Sequence, residues 1–112
     1  MPYVNANLTQ KLTPKEAELL KSEIGKIIGL IGKSEQHLMV DIESGKTIYF
    51  KGKPENCAYV DVRIYGSCDF DRKNKFIGAL SEVVEKVAGV KKDNVFVSFL
   101  EFTNWGMNGG LI

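Results

Sequence analysis

The chain has 112 residues, of which 44% are hydrophobic and 26% are charged, and its formal net charge is +1. This length suits one domain, residues 1–112, and the composition is typical of an ordinary soluble globular protein. The nearly balanced charge, without a basic stripe carrying interleaved aromatic residues, excludes an electrostatic basis for nucleic-acid binding.

The chain carries no recognisable targeting or membrane segment. Its start lacks the basic and apolar regions of a secretory signal peptide, and its most apolar stretch, residues 24–31, is short and interrupted by a lysine and a glycine. Cys57 and Cys68 fit no zinc or redox spacing, and two free thiols are favoured over one disulfide bond. We therefore expect a cytoplasmic protein without a membrane partner, and export without a signal peptide stays open.

The first half of the chain predicts a strand, a helix and a strand. Residues 3–7 are short and extended. Thr13 can cap a helix, the proline after it suits the first helical position, and Glu16 completes a capping box. The apolar face recurs at helical spacing at Ala17, Leu20, Ile24, Ile27, Ile28 and Ile31. Gly32 supplies the end of the helix, and residues 38–42 predict the second strand.

The second half repeats this order after a short edge strand predicted at residues 47–50. Residues 58–65 alternate between apolar and polar side chains, which indicates a strand with one buried face. Asp69 or Asp71 can cap a second helix. Its apolar face is Phe76, Ile77, Leu80, Val83, Val84 and Val87. A glycine ends this helix, and residues 95–102 predict the last long strand.

The order of the elements predicts an α+β fold built from two βαβ repeats, residues 3–42 and 58–102. Because each crossover returns its strands in parallel, both helices should lie on one face of a single four-stranded mixed sheet. The last strand is apolar on both sides over residues 95–100, so the other face of the sheet needs cover. A partner subunit is the simplest source. Cover by the loops and tail of the same monomer is the alternative.

Pro2 and Lys33 are the candidate catalytic residues. Removal of Met1 would leave Pro2 as a free secondary amine, and the pKa of an α-amine lies below that of lysine and falls further on burial or beside a cation. Such an amine can take a proton from carbon at neutral pH. Lys33 can clamp a substrate carboxylate. The alternatives are a proline that stands second by chance and a lysine that only complements the helix dipole.

Other polar residues have simpler explanations. His37, the one histidine, has no nucleophile motif beside it and is interpreted as a surface or packing residue. The acidic residues at turns and helix starts show no metal-ligand spacing, and we predict no metal site: Asp41, Glu43, Asp69 and Asp71. Trp105 and Met107, in the glycine-rich tail, can either fill the core or line a pocket at a subunit edge.

Several short stretches stand in a shared order and spacing. They are Met1-Pro2, Gly32-Lys33, Ile64-Tyr65-Gly66, residues 93–98 and residues 104–109. Together they resemble the macrophage migration inhibitory factor (MIF) family of the tautomerase superfamily, and the similarity covers essentially the whole chain. The resemblance implies a homotrimer that assembles through its sheets, which wrap into a central barrel, with active sites between adjacent subunits.

The resemblance also implies roles for particular residues. Pro2 matches the catalytic proline and Lys33 the carboxylate-binding lysine. Tyr65 stands where isoleucine is usual and would contribute its backbone amide. Phe96 replaces a usual tyrosine and Ser98 a common asparagine, and both would reach in from the neighbouring subunit. Each weakened hydrogen bond predicts a loss of about tenfold at most in affinity for hydroxylated aromatic substrates.

These residues predict a keto–enol tautomerase, an intramolecular oxidoreductase (isomerase) of the phenylpyruvate or L-dopachrome type. Pro2 would act as general base and then acid, and Lys33 would hold the carboxylate of a small 2-keto acid or its enol. No metal or organic cofactor is expected. Two alternatives stay open: a secreted cytokine-like ligand of a host or cell-surface receptor, and a trimeric scaffold with a vestigial pocket.

Overall fold

A computed structural model describes the whole chain, residues 1–112. In chain order the elements are β1 (Pro2–Leu8), α1 (Pro14–Ile27), β2 (Met39–Glu43), β3 (Tyr49–Phe50), β4 (Lys53–Pro54), β5 (Ala58–Tyr65), α2 (Phe70–Ala88), β6 (Val95–Phe102), β7 (Gly106–Met107) and β8 (Gly110–Leu111). Short 3₁₀ segments lie at Ile28–Ile31, Glu35–His37 and Lys92–Asn94. Neither helix has the length and apolar character needed to cross a bilayer.

The main sheet has four strands in the order β2-β1-β5-β6. β1 runs parallel to β2, β5 runs parallel to β6, and the two pairs meet where β1 and β5 run antiparallel. One helix connects the strands of each parallel pair. The predicted pair of βαβ repeats and the mixed four-stranded sheet are therefore confirmed.

The predicted caps set the starts of both helices. At α1, the Thr13 side chain accepts from the Glu16 N–H at 3.1 Å, and the Glu16 side chain accepts from the Thr13 N–H at 2.9 Å, which is the expected capping box. At α2, the Asp69 side chain accepts from the Arg72 N–H at 2.9 Å. Asp69, rather than Asp71, is thus the cap, and each cap satisfies N–H groups that a helix start leaves unpaired.

Both helices pack on the same face of the sheet, as predicted. In β1 and β5, buried residues that face the helices alternate with exposed or half-buried residues that face away. Together with the apolar faces of the helices they form one hydrophobic core of 19 buried residues. The largest contributors from the helices are Leu20, Ile24, Phe76, Leu80 and Val84. Burying a side chain of this size contributes about 1.5–3 kcal/mol, so this one-sided core holds the sheet and helices in fixed relation.

The opposite face of the sheet is open. Near β1 and β2 it is polar and hydrogen-bonded, as in the 2.8 Å bond that Tyr3 donates to Asp41. Along β6 it is apolar, and Phe96 and Leu100 are 43% and 48% exposed. Leu100 is covered neither by the helices nor by the loops of its own chain. The prediction that this face of the sheet is left uncovered is therefore confirmed for β6.

The edge strand predicted at residues 47–50 is shorter than predicted and does not border the main sheet. Only Tyr49–Phe50 is extended, and it pairs with Lys53–Pro54 in a separate hairpin instead of joining the main sheet. Lys51 and Gly52 lie between them with φ of 61° and 76°. Positive φ at both central residues is typical of the type I′ turn, which reverses the chain within two residues.

Candidate active site

Lys33 follows a helix end that determines where its backbone lies. α1 stops at Ile27 rather than at Ile31 as expected, because the last apolar turn tightens into a 3₁₀ segment. Gly32 then adopts φ of 73°, and the N–H groups of Gly32 and Lys33 donate back into that segment at 2.9 and 3.4 Å. Glycine accepts this left-handed conformation without the steric cost that a side chain brings.

Lys33, Tyr65 and the start of β1 come together at one end of the sheet. The Lys33 ammonium donates to the carbonyl oxygen of Tyr65 at 2.9 Å. The Tyr65 N–H donates to the carbonyl oxygen of Met1 at 3.2 Å. Pro2 is buried and lies opposite Ile64 in the antiparallel pairing of β1 with β5. Three of the predicted site residues, Pro2, Lys33 and Tyr65, are therefore neighbours.

The electrostatic environment of this strand end favours a neutral amine. In the full chain the N-terminal amine belongs to Met1, and its pKa is lowered first by burial and then by the positive charge of Lys33. Both causes disfavour the protonated form. An amine at this end of β1 therefore gives up its proton more readily than a free α-amine in water.

Phe96 and Ser98 lie away from these residues within the same chain. Phe96 is opposite Tyr59, near the start of β6, whereas Tyr65 is at the far end of β5. At about 3.3 Å per strand residue, this register separates them by roughly 20 Å. Phe96 packs edge-on against Phe50 with ring centroids 5.0 Å apart, and Ser98 accepts a 2.6 Å hydrogen bond from the Tyr59 hydroxyl.

The side chain of Tyr65 contacts the C-terminal tail. Its hydroxyl donates to the carbonyl oxygen of Ile112 at 3.1 Å, and its ring lies 6.4 Å from that of Trp105. Trp105 also packs edge-on against Phe102, with centroids 5.9 Å apart. Trp105 is half-buried at the end of the sheet, so these contacts argue against the alternative that it fills the core.

The tail itself is a hairpin, which the sequence analysis did not predict. β7 pairs with β8 across Asn108 and Gly109, whose φ values are 54° and 83°. An Asn-Gly pair is the strongest short-range signal for such a hairpin. Asn108-Gly109 is therefore the sequence signal for this turn, and the returning strand brings Ile112 to the Tyr65 hydroxyl.

A cavity of about 380 Å³ opens on the uncovered face of the sheet beside this end. Its lining residues are Tyr3, Met39, Arg63, Phe102, Asn104, Trp105 and Gly106. Tyr3 directly follows Pro2, and Arg63 lies opposite Tyr3 in the register of β1 and β5. Alternation along residues 58–65 predicts that Arg63 lies on the outward face of its strand, but it gives Arg63 no role, because only the register shows that Arg63 neighbours the chain start.

A larger cavity, of about 480 Å³, lies elsewhere. It is formed by Thr9 and Gln10, residues 46–48 and residues 54–56. Neither cavity is lined by Pro2, Lys33 or Tyr65, but only the smaller one is lined by Tyr3, the residue that follows Pro2. Its lining is almost entirely polar. We therefore take the smaller cavity beside Pro2, with its aromatic walls, as the one that belongs to the candidate site.

The remaining polar candidates have structural roles. His37 is exposed in a 3₁₀ turn. Cys57 is a buried free thiol whose pKa is raised by that burial, and Cys68 is also free. Histidine, cysteine and acidic side chains form no group of three or more that could hold a metal ion.

Comparisons with known proteins fit this geometry. The family model described as Macrophage migration inhibitory factor (MIF) matches residues 1–112. None of the curated proteins compared with the chain matches it. The crystal structure of Leishmania major MIF2 is similar with a TM-score of 0.93 and 21% sequence identity, and the match covers 100% of this chain and 97% of that chain.

Two further solved structures resemble the chain. A wild-type fused 4-OT, described as a symmetric trimer, has a TM-score of 0.87 at 20% identity, over 97% of this chain and 94% of that chain. Pt0534, in a structure inactivated by 2-oxo-3-pentynoate, has a TM-score of 0.85 at 23% identity, over 96% and 93% of the two chains. At these identities the likenesses concern the fold alone.

Proposed function

The chain belongs to the macrophage migration inhibitory factor family and has the tautomerase-superfamily fold, and from this premise we propose that it is a keto–enol tautomerase of 2-oxo acids. The base is the amine of Pro2, exposed when Met1 is removed. One observation carries the proposal: Pro2 is buried, and at this strand end burial and then the Lys33 charge lower the pKa of the Met1 amine. This supports the same effect on the Pro2 amine once Met1 is removed.

The backbone of Tyr65 supports a place for a substrate oxygen. Its N–H donates to the carbonyl of Met1 at 3.2 Å. When Met1 leaves, that donor loses its partner and faces the space that the carbonyl occupied. Because a buried N–H without a partner costs about 1–3 kcal/mol, a substrate carboxylate or keto oxygen that replaces the carbonyl gains this bond on binding.

Lys33 supplies the positive charge for the substrate carboxylate. The carbonyl of Tyr65 holds its ammonium at 2.9 Å, and two of the three ammonium protons remain for other acceptors. The carboxylate would therefore be held by the Lys33 ammonium and the Tyr65 backbone N–H, which lie next to each other. This arrangement fixes the substrate relative to the amine and reduces the entropic cost of reaching the reactive geometry.

The reaction is a proton transfer with no change in overall composition. The neutral nitrogen of Pro2 takes a proton from C3 of the 2-oxo acid, and the electrons of that C–H bond form the C2–C3 double bond. The C2 carbonyl oxygen becomes negatively charged and then receives a proton from the Pro2 ammonium, which yields the enol. The same amine thus serves as base and then as acid, and the reverse sequence returns the keto form.

The proposed active unit is a homotrimer with sites between subunits. In the register of β5 and β6, Phe96 lies roughly 20 Å and Ser98 about 13 Å along the sheet from Tyr65, so they can join this chemistry only from a neighbouring copy. The half-exposed Leu100 gives the open face an apolar surface for such a copy, and the fused 4-OT of the same fold is a symmetric trimer. Phe96 would then provide an aromatic wall and Ser98 a short hydrogen-bond donor.

Phenylpyruvate is the proposed first substrate, and L-dopachrome is a second one to assay. Pt0534, which shares the fold, is inactivated by a 2-oxo compound, which supports the substrate class. The receptor-ligand alternative stays an expectation of the family resemblance, and so does the compartment.

The decisive test compares Pro2→Gly, and an alanine inserted between Met1 and Pro2, with the unmodified chain. Loss of a positioned general base should lower kcat/KM for phenylpyruvate about a hundredfold or more. Pro14→Ala, at the exposed start of α1, is the matched control and should retain activity. Intact mass should show that Met1 is absent from the active species. Undiminished activity in both site variants would end the proposal.

A further inference from the structure

We infer that Arg63 determines substrate choice by binding a second anionic group, so that the preferred substrate is a 2-oxo acid with a second carboxylate. The inference rests on the proposed function, since it concerns the far end of the same substrate. The proposed binding site for the second anionic group is the 380 Å³ cavity on the open face, which Arg63 lines together with Tyr3 and Trp105.

The position of Arg63 places a cation beside the chain start. Arg63 pairs across the strands with Tyr3, the residue after Pro2, and the next residue of β5, Ile64, pairs with Pro2 itself. Directly opposed residues in an antiparallel pair have Cβ atoms about 4.5–5.5 Å apart. Tyr3 and Arg63 therefore place the cavity beside the strand end that carries the candidate base.

The cavity has the chemistry of an anion site. Arg63 is its one charged lining residue, and three of the other walls are the aromatic rings of Tyr3, Phe102 and Trp105. The Arg63 side chain is 47% exposed, so an anion can reach its guanidinium. A ligand that packs against the aromatic walls would displace part of the water that screens the ion pair. A planar carboxylate can accept two parallel hydrogen bonds from a guanidinium, which a lysine does not offer.

Asp61 orients the guanidinium without occupying the cavity. One carboxylate oxygen of Asp61 accepts from Nε of Arg63 at 3.2 Å and from Nη2 at 3.0 Å. The remaining nitrogen, Nη1, forms no hydrogen bond within the chain. Asp61 is not part of the cavity lining, so its negative charge weakens, but does not replace, the attraction for an anion there.

Two cations at one strand end match a substrate with two carboxylates. Lys33 binds the carbonyl of Tyr65, and Arg63 precedes Tyr65 by two residues on the same strand. The first carboxylate would lie with Lys33 and the second with Arg63, and the carbon that loses its proton would lie between them. A monoanionic 2-oxo acid would leave the guanidinium without this partner.

Trp105 permits a binding test that needs no turnover. It is the chain's one tryptophan and lines the cavity, so its fluorescence reports occupancy directly. The probes are 2-oxoglutarate and its monoanionic analogue 2-oxopentanoate, titrated into the protein with Met1 removed. We expect the dianion to bind more tightly, and Arg63→Gln to weaken its binding by about tenfold to a hundredfold, the range for a hydrogen bond to a charged group.

Matched variants distinguish the loss of the Arg63 side chain from a change in net charge and from a loss of folding. Arg63→Lys should recover part of the lost affinity, and Lys15→Gln, which removes an exposed positive charge on α1, should change neither ligand's affinity. Because Arg63→Gln leaves Asp61 without its partner, the double variant Asp61→Asn/Arg63→Gln should repeat the selective loss with an unchanged circular dichroism spectrum.

The outcomes distinguish this inference from the proposed tautomerase. Equal affinity of the unmodified chain for both probes, binding of neither, or an equal loss for both in Arg63→Gln overturns the role of Arg63. Selective loss of the dianion supports it, whether or not the enzyme turns over. If phenylpyruvate is turned over and Arg63→Gln leaves both affinities unchanged, the tautomerase stands and this inference fails.

Discussion

Burial and the Lys33 charge both lower the pKa of the Met1 amine, with burial the larger cause, and we expect both to act on the Pro2 amine once Met1 is removed. Removing the Lys33 charge should therefore return the pKa of the amine only part of the way toward its ordinary value. In Lys33→Gln, the pH at which the base becomes neutral should rise, and the acidic limb of kcat/KM against pH should move to higher pH. The same change removes a charged hydrogen bond to substrate, so the plateau should fall about tenfold to a hundredfold.

The control for this pH profile is Lys26→Gln. Lys26 is an exposed lysine of α1 that pairs with Glu23 at 3.5 Å, so the variant has the same change in net charge away from the strand end. Its acidic limb should coincide with that of the unmodified enzyme. An acidic limb that stays in place in Lys33→Gln would show that Lys33 does not tune the base.

At the residue scale, the sequence was informative where a local rule applies. Gly32 ends a helix and so predicts where Lys33 lies, and a proline directly after Met1 suggests a free secondary amine. Arg63 and Tyr3 carried no such signal, because they become neighbours only through the register between strands that are 60 positions apart in the chain. Alternation predicts which face a residue occupies, but it does not predict which residue lies opposite.

At the element scale, Gly32 and Gly89 each follow a helix end, and substituting them gives a matched pair of variants. Both glycines have left-handed backbone, with φ of 73° and 67°. Alanine at either position should lower the free energy of unfolding by about 1–2 kcal/mol, measurable by urea denaturation. At Gly32 the added Cβ would also approach the Arg72 guanidinium to 3.0 Å, whereas the surroundings of Gly89 are open.

Only Gly32→Ala should also reduce catalysis, because it shifts the backbone that carries Lys33. We expect a drop in kcat/KM for phenylpyruvate beyond any loss of folded protein, with Gly89→Ala retaining full activity per folded molecule. Equal activity of the two variants at 25 °C would indicate that the 3₁₀ segment and Gly32 contribute stability and not the position of Lys33.

The bounds of the strands were predicted correctly where the hydrophobic pattern and the flanking turn residues agree. Residues 58–65 and 95–102 have the predicted bounds. Alternation marks the first strand, and a mostly apolar run between polar turns marks the second. The hairpins around Lys51 and Asn108 were not predicted. Strands of two residues are too short to show a period, and their turn residues at positive φ are the one sequence signal that they leave.

At the scale of the molecule, the sheet has two unlike faces. One carries the closed core, and the other combines hydrogen-bonded polar residues with an apolar stretch on β6. A monomer would expose this stretch to water, whereas a second copy can bury it. The 20 Å gap between Phe96 and Tyr65 within one chain follows from the parallel register of β5 and β6. Assembly and completion of the site are therefore expected to fail together.

Leu100 and Leu19 test this link between assembly and activity. They are 48% and 43% exposed, Leu100 on the open face of β6 and Leu19 on α1. Leu100→Lys places a charge where copies should meet, and burying an unpaired charge is unfavourable enough to prevent association. Leu19→Lys makes the same substitution outside the sheet face and should leave both assembly and activity intact.

The measurement is sedimentation velocity together with kcat/KM on the same samples. The unmodified chain and Leu19→Lys should sediment as trimers and turn over phenylpyruvate. Leu100→Lys should sediment as a folded monomer with at least a tenfold lower kcat/KM, because Phe96 and Ser98 then have no neighbouring amine to approach. A fully active Leu100→Lys monomer would mean that Pro2, Lys33 and Tyr65 complete the site within one chain, and the intersubunit roles of Phe96 and Ser98 would have to be abandoned.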